Sequence, residues 1–218
     1  MIQTFDIFEG IRLPEKKEEE MLPISFTALL VGKQGSGKSS LISLLLKNKN
    51  CFYKKFDLVL FLAPYSIADL DLKDDRLHSN LSPEWVYEQI EINRLIKPIN
   101  NCLVIIDDLI SSIKDSHQNP SIVDFFFNRR KIVKDCEISI LCTTQKYTMY
   151  PARFRSSLNF IIFFNIPPDD YKFLSKEQIF NPAPHLTHRL DLHFKKPHNF
   201  VYLRLDPYAL YLNFKERL

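Results

Sequence analysis

The segment Gly32-Lys-Gln-Gly-Ser-Gly-Lys-Ser39 is a G-x-x-x-x-G-K-[ST] loop, and its flanks constrain the fold around it. Ahead of it runs Ile24-Ser-Phe-Thr-Ala-Leu-Leu-Val31, apolar enough for a buried strand. Behind it, Ser40-Leu-Ile-Ser-Leu-Leu-Leu-Lys47 reads as the start of a helix. A strand–loop–helix of this kind aims backbone N–H groups and the helix N-terminus at anionic phosphates. Gly32, Lys33, Gln34, Gly35, Ser36, Gly37, Lys38, Ser39 and Ser40 are therefore the expected cradle of a nucleoside triphosphate. Lys38 would reach the β- and γ-phosphates, and the Ser39 hydroxyl would ligate Mg²⁺. The chain has four glycines, and three stand in this loop, where backbone must bend and approach a ligand closely.

At 218 residues, 45% hydrophobic and 25% charged, the chain suits one globular domain with a core of its own. A net charge of +3 neither demands nor excludes a nucleic-acid partner. Cys51, Cys102, Cys136 and Cys142 are isolated, which reads as reduced thiols rather than a disulfide framework. The N-terminus lacks a secretory pattern, and apolar runs such as Phe160-Ile-Ile-Phe-Phe164 are too short to span a bilayer. An intracellular setting follows as the expectation.

Residues 1–23, ending in a mixed charge run and Pro23, read as an N-terminal arm. Strands are expected at 24–31, 57–62, 101–106, 137–143 and 159–164. Between them, Ser82-Pro83 opens a helix expected to reach Ile96, and Asn119-Pro120 opens one expected to reach about Val133. Apolar strands alternating with helices predict an α/β fold, a central, mostly parallel sheet flanked by helices. The core is thus expected over 24–166. Residues 167–218 read as an extension of the same domain, with a hairpin pairing Leu190–Phe194 and Phe200–Leu205.

Asn101-Cys-Leu-Val-Ile-Ile-Asp-Asp108 is an apolar strand ending in two carboxylates. Ligands of open parallel sheets bind at the carboxyl ends of the strands, which puts both acids beside the phosphate loop. Asp107 is the expected Mg²⁺-side carboxylate, and Asp108 is a candidate to orient or deprotonate an attacking water. Standing alone, the pair would serve equally as a helix cap. Gln145, closing Glu137-Ile-Ser-Ile-Leu-Cys-Thr-Thr-Gln145, can offer an amide to a γ-phosphate or a water. His185, His188, His193 and His198 fit no metal-ligand box. Lys195, Lys196 and His198, with Lys146 and Tyr147, read equally as exposed loops or as contacts to DNA phosphates.

In order, the phosphate loop, Leu103–Asp108, Asn128-Arg-Arg-Lys131, Ile138–Gln145 and Tyr150-Pro-Ala-Arg-Phe-Arg-Ser156 resemble the FtsK/HerA-like viral genome-packaging ATPases. The match spans about residues 24–165. The resemblance implies a P-loop NTPase of the additional-strand catalytic class, with the Gln145 strand between the phosphate-loop strand and the Asp107 strand. It implies Arg130, or else Arg129, as a finger reaching a neighbour's site, with Arg153 and Arg155 as sensor or inter-subunit arginines. Asp108 stands where many relatives carry glutamate, one methylene longer.

The function this implies is an ATP- and Mg²⁺-dependent motor that drives double-stranded DNA into a viral capsid. Its partners would be DNA, copies of itself in a pentameric or hexameric ring, and a capsid or portal vertex. It would work in the host cytoplasm or a viral factory, or with the virion. A nucleotide or nucleoside kinase and a slow nucleotide-dependent assembly switch are the alternatives. The paired acids argue for water, rather than a second substrate, as phosphoryl acceptor.

Overall fold

The computed structural model describes residues 22–49, 51–65, 74–109, 119–165, 167–177, 179 and 184–218. Most of the expected N-terminal arm lies outside them. The described strands are β1 (Thr27–Val31), β2 (Leu58–Leu62), β3 (Leu77–His78), β4 (Asn101–Ile106), β5 (Glu137–Thr144), β6 (Phe160–Phe163), β7 (Val201–Leu205), β8 (Tyr208–Leu212) and β9 (Glu216–Arg217). They form one sheet in the order β3-β2-β4-β5-β1-β6-β7-β8-β9. Pairing from β3 through β6 is parallel, and β7, β8 and β9 continue the sheet antiparallel.

Alternation along β1 explains why its sequence is apolar throughout. Leu29 and Val31 face a core shared with Val86, Ile90, Phe125 and Phe126, while Ala28 and Leu30 face one shared with Leu41, Ile42 and Leu45. The first layer is capped by α2 (Pro83–Arg94) and α3 (Pro120–Phe127), the second by α1 (Lys38–Lys47). A parallel sheet buried on both sides leaves no polar face to alternate.

Both expected helix starts are present. Ser82 Oγ accepts from the Trp85 N–H at 3.2 Å, and Asn119 Oδ1 accepts from the Ser121 N–H at 3.0 Å. Each satisfies one of the orphan N–H groups of a first turn. Both helices stop earlier than expected. In α2, Lys97 precedes Pro98 and is steered away from helical geometry. After α3 the chain turns at Asn128 so that Arg129 can run beneath β1 and β5.

The C-terminal hairpin exists, but its strands are β7 and β8, joined across Asp206-Pro207. Leu190–Phe194 instead ends α6 (Pro184–Phe194). Leu-Asp-Leu-His-Phe satisfies both a two-residue and a four-residue period. The helical one prevails, with Leu190 buried and Leu192 48% exposed. Two further helices, α4 (Ala152–Arg155) and α5 (Pro168–Lys176), follow β5 and β6. Among the described residues, no helix is long and apolar enough to cross a membrane.

Candidate functional site

The carboxyl ends of β1, β4 and β5 meet at one cleft of about 340 Å³. Its lining includes Gly35, Gly37, Lys38, Ser39, Asp107, Asp108 and Gln145. The sheet order accounts for this grouping, since β5 lies between β1 and β4. The Gly32 N–H donates to the Thr144 carbonyl at 3.0 Å, which fixes the entry of the phosphate loop against the residue preceding Gln145. The Asp107 N–H donates to Leu62 O at 2.9 Å, holding the acid-bearing strand end in register with β2.

Within the loop, Gly35 (φ +75°) and Gly37 (φ +101°) occupy the left-handed region, where a side chain would be strained. Gly37 is also the N-cap of α1, so its conformation turns the chain from loop to helix. Lys38 Nζ donates to the carbonyls of Gly32 at 2.6 Å and Lys33 at 3.0 Å, which folds its cation over the loop. Burial lowers the Lys38 ammonium below its ordinary value, and the charges of Asp108 and Asp107 work against that shift.

Asp107 is held by a residue that sequence reading left without a role. The fully buried Thr143 donates its hydroxyl to Asp107 Oδ1, and its Oγ1 accepts the Asp108 N–H at 3.3 Å. Burial raises the Asp107 carboxyl above its ordinary 3.8; the Thr143 bond lowers it, Asp108 raises it and Lys38 lowers it. Asp108 itself has φ +54°, a left-handed backbone position just past the strand end. The polar pair Thr143-Thr144 closing β5 just before Gln145 was the available signal for Thr143.

The oxygen donors present suit a magnesium ion. Ser39 and Asp107 offer a hydroxyl and a carboxylate, hard ligands of the kind Mg²⁺ takes in ones and twos beside substrate phosphates. The loop geometry and the Lys38 cation likewise suit the phosphates of a nucleotide.

The arginines are dispersed. Arg129 is buried near the amino end of β1, about 16 Å of strand from the phosphate loop at 3.3 Å per residue. Its Nε donates to Thr27 Oγ1 at 2.9 Å, and Nη1 donates to Ser25 Oγ at 3.0 Å and Ile138 O at 3.3 Å. Burial and the neighbouring Arg130 lower it to about 10, so it stays charged at neutral pH. Its donors are thus engaged inside its own chain. Arg155 is similarly committed: it pairs with Glu177, donates to Tyr150 O at 2.9 Å and lies 4.6 Å from the Tyr147 ring centroid. Arg130 and Arg153 are exposed, Arg130 donating from Nε to Ser25 Oγ at 2.9 Å. Tyr147 is fully buried and bonded to Glu177, so it does not line an exposed DNA surface. His198 is tucked against the phosphate loop instead, its Nδ1 3.2 Å from Ser36 O.

No protein-family model matches the chain, and no curated protein sequence matches it. Solved structures do. The genome packaging NTPase B204 from Sulfolobus turreted icosahedral virus 2, in complex with ATP-gammaS, superposes with a TM-score of 0.59 at 14% identity, over 87% of this chain and 96% of that one. The fold is that of a P-loop NTPase. The pCW3 conjugation coupling protein TcpA, with ATPgS, matches at a TM-score of 0.52 and 11% identity, over 89% of this chain and 60% of that one. ATPases 2 and 3 of Thermomonospora curvata EccC match at 0.50 and 13%, over 86% of this chain and 36% of that one. In this P-loop NTPase fold the strand inserted between β1 and β4 is the one that carries Gln145.

Proposed function

We propose that this chain hydrolyses ATP and uses the reaction to drive double-stranded DNA into a viral capsid. The observation that carries this reading is the convergence of Lys38, Asp108 and Gln145 on one cleft, on a fold shared with a genome packaging NTPase. Lys38 balances charge on the β–γ bridging region. Asp108, exposed at the cleft, orients a water and takes its proton as the water oxygen attacks the γ-phosphorus and the bond to ADP breaks. The Gln145 amide, also exposed, offers hydrogen bonds to that water or to the γ-oxygens. Ser39 and Asp107 would hold Mg²⁺, which when bound neutralises charge on the phosphate oxygens.

Charge developing on the transferring phosphoryl group calls for an arginine, and none lines this cleft among the described residues. A neighbouring copy in a ring would supply it. Arg130 and Arg153, both exposed, are the candidates for such a neighbour to present. The work would take place where capsids are filled, in host cytoplasm or a viral factory.

The test is phosphate release from Mg·ATP over a range of protein concentrations, with and without linear duplex DNA. Release per subunit should rise with concentration and with DNA. Transfer of the phosphoryl group to a second nucleotide without phosphate release would establish a kinase instead. A rate independent of concentration and DNA would remove the ring motor.

A further inference from the structure

Among the described residues one acidic side chain is buried, that of Asp170, at 2% exposure. It stands in the first turn of α5 beside Asp169, whose side chain is 85% exposed. Either acid suits the positive end of a helix, but burying one is costly unless its oxygens are bonded. Those of Asp170 are. Its Oδ2 accepts the Tyr147 N–H at 2.9 Å, and its Oδ1 accepts the Thr148 N–H at 3.4 Å and the Thr148 hydroxyl at 3.1 Å.

Tyr147–Met149 is a single 3₁₀ turn, and α5 grips it from both ends. Glu177, just past the last turn of α5, accepts the Tyr147 hydroxyl at 2.7 Å and pairs with Arg155. Arg155 in turn donates to the carbonyls of Tyr150 at 2.9 Å and Thr148 at 3.4 Å. The turn begins two residues after Gln145. On the other side of Gln145, the Thr144 carbonyl accepts the Gly32 N–H, and Thr144 Oγ1 donates to Lys146 O at 3.0 Å. Gln145 is therefore carried between an anchor on the phosphate loop and an anchor on α5. Its side chain is exposed at the cleft, so its aim depends on the backbone that bears it.

We propose that Asp170 is a positioning residue for Gln145: by holding the Tyr147–Met149 turn against α5, it fixes the backbone from which the Gln145 amide meets the γ-phosphate or the attacking water. The proposal rests on the reading of the cleft as a triphosphate site with Gln145 as one of its contacts. Asp170 does not line the cleft, so it acts through Gln145 alone. A carboxylate suits the task, since it only accepts and its two oxygens can hold several donors from adjacent residues. A hydrogen-bonding group aimed in advance needs no reorganisation at the moment of reaction. Misplacement by about 1 Å can cost on the order of 10²-fold in rate.

The experiment is a double-variant cycle on phosphate release from Mg·ATP, using the full chain at one protein concentration: wild type, Asp170→Asn, Gln145→Ala and both together. Asp170→Asn keeps the shape of the side chain but replaces one acceptor oxygen with a donor. Its kcat should fall about tenfold while KM and ATP affinity stay within about twofold, because Lys38 and its loop are untouched. Gln145→Ala should lower kcat by about tenfold or more, and adding Asp170→Asn to it should change kcat by less than about twofold. Thr148→Val removes one donor to Asp170 and leaves both N–H groups in place. It should lower kcat roughly threefold in the wild type and not in Gln145→Ala, and it carries the cycle if Asp170→Asn does not fold. Losses that multiply in the double variant, to roughly a hundredfold, overturn the proposal and leave Asp170 a residue that only stabilises the fold. An unchanged kcat in Asp170→Asn does the same. A wild-type kcat in Gln145→Ala overturns the reading of Gln145 and the proposal with it.

Discussion

The Thr143 hydroxyl donates to Asp107 while its oxygen receives the Asp108 N–H, so one buried threonine on β5 holds both acids at the end of β4. Strands β4 and β5 are already paired in parallel up to Ile106 and Cys142. Thr143 carries that pairing one step further, into side-chain chemistry, two residues before Gln145.

Thr143→Val keeps the shape and removes this link. Loss of these two hydrogen bonds should cost about 1–3 kcal/mol of stability. Turnover should fall about tenfold and the Mg²⁺ concentration for half-maximal rate should rise, because Asp107 is no longer oriented. Titration of phosphate release with Mg²⁺ checks this. An unchanged Mg²⁺ dependence would mean that Asp107 does not need its threonine.

Asp107 gives the activity an acid limb above the ordinary carboxylate value of 3.8, since burial raises it. As pH falls through that raised value the carboxyl is protonated and can no longer ligate Mg²⁺, so activity is lost. The stability effect has the opposite sign. Between the unfolded and folded values the folded chain binds the extra proton, so stability drops as pH rises through that window. Asp107→Asn should therefore melt at a higher temperature than the wild type near neutral pH, without nucleotide, yet lose Mg²⁺-dependent turnover. A lower melting temperature in that variant would contradict the burial account.

Asp108→Asn should separate binding from chemistry. The exposed carboxylate makes no contribution that the amide cannot mimic in shape, but the amide has no basicity. ATP affinity should stay within about twofold while phosphate release falls by about 10²–10⁴. Normal release would leave Asp108 as nothing more than the end of a strand.

Arg129 and Arg130, adjacent in sequence, should behave differently. Arg129→Ala leaves the buried Thr27 hydroxyl and the Ile138 carbonyl without this donor and should cost about 2–3 kcal/mol, a fall in melting temperature of roughly 4–12 °C. Arg130→Ala should leave the melting temperature within a few degrees, bind ATP normally and be inactive. Mixed with Lys38→Ala, which lacks only the loop cation, it should recover activity at junctions that pair an intact loop with an intact arginine. Sizing of both variants shows whether they assemble, and absence of any defect in Arg130→Ala moves the finger to Arg153.

The local and the distant parts of this site differed in how far the sequence announced them. Glycine placement, the β4 acids and the Ser82 and Asn119 caps are each encoded within a few residues, so the loop, the strand ends and the helix starts could be read directly. Arg129 reads as a surface arginine at the end of a helix, because its partner Thr27 is 102 residues away. His198 reads as a loop histidine, because Ser36 is 162 residues away. The misplaced hairpin has another cause. Leu190–Phe194 fits two periodicities, and burial of Leu190 on the helical one is decided by packing rather than by the pattern itself.

Movement of a third strand off triplex DNA by the wild type, with Asp108→Asn and Lys38→Ala alongside, tests the motor most directly. Wild-type protein should displace the strand only with Mg·ATP. Asp108→Asn should bind ATP and duplex DNA yet displace nothing, and Lys38→Ala should do neither with ATP. Displacement by Asp108→Asn at the wild-type rate, or ATP hydrolysis by the wild type with no displacement at any protein concentration, would contradict a motor driven from this cleft.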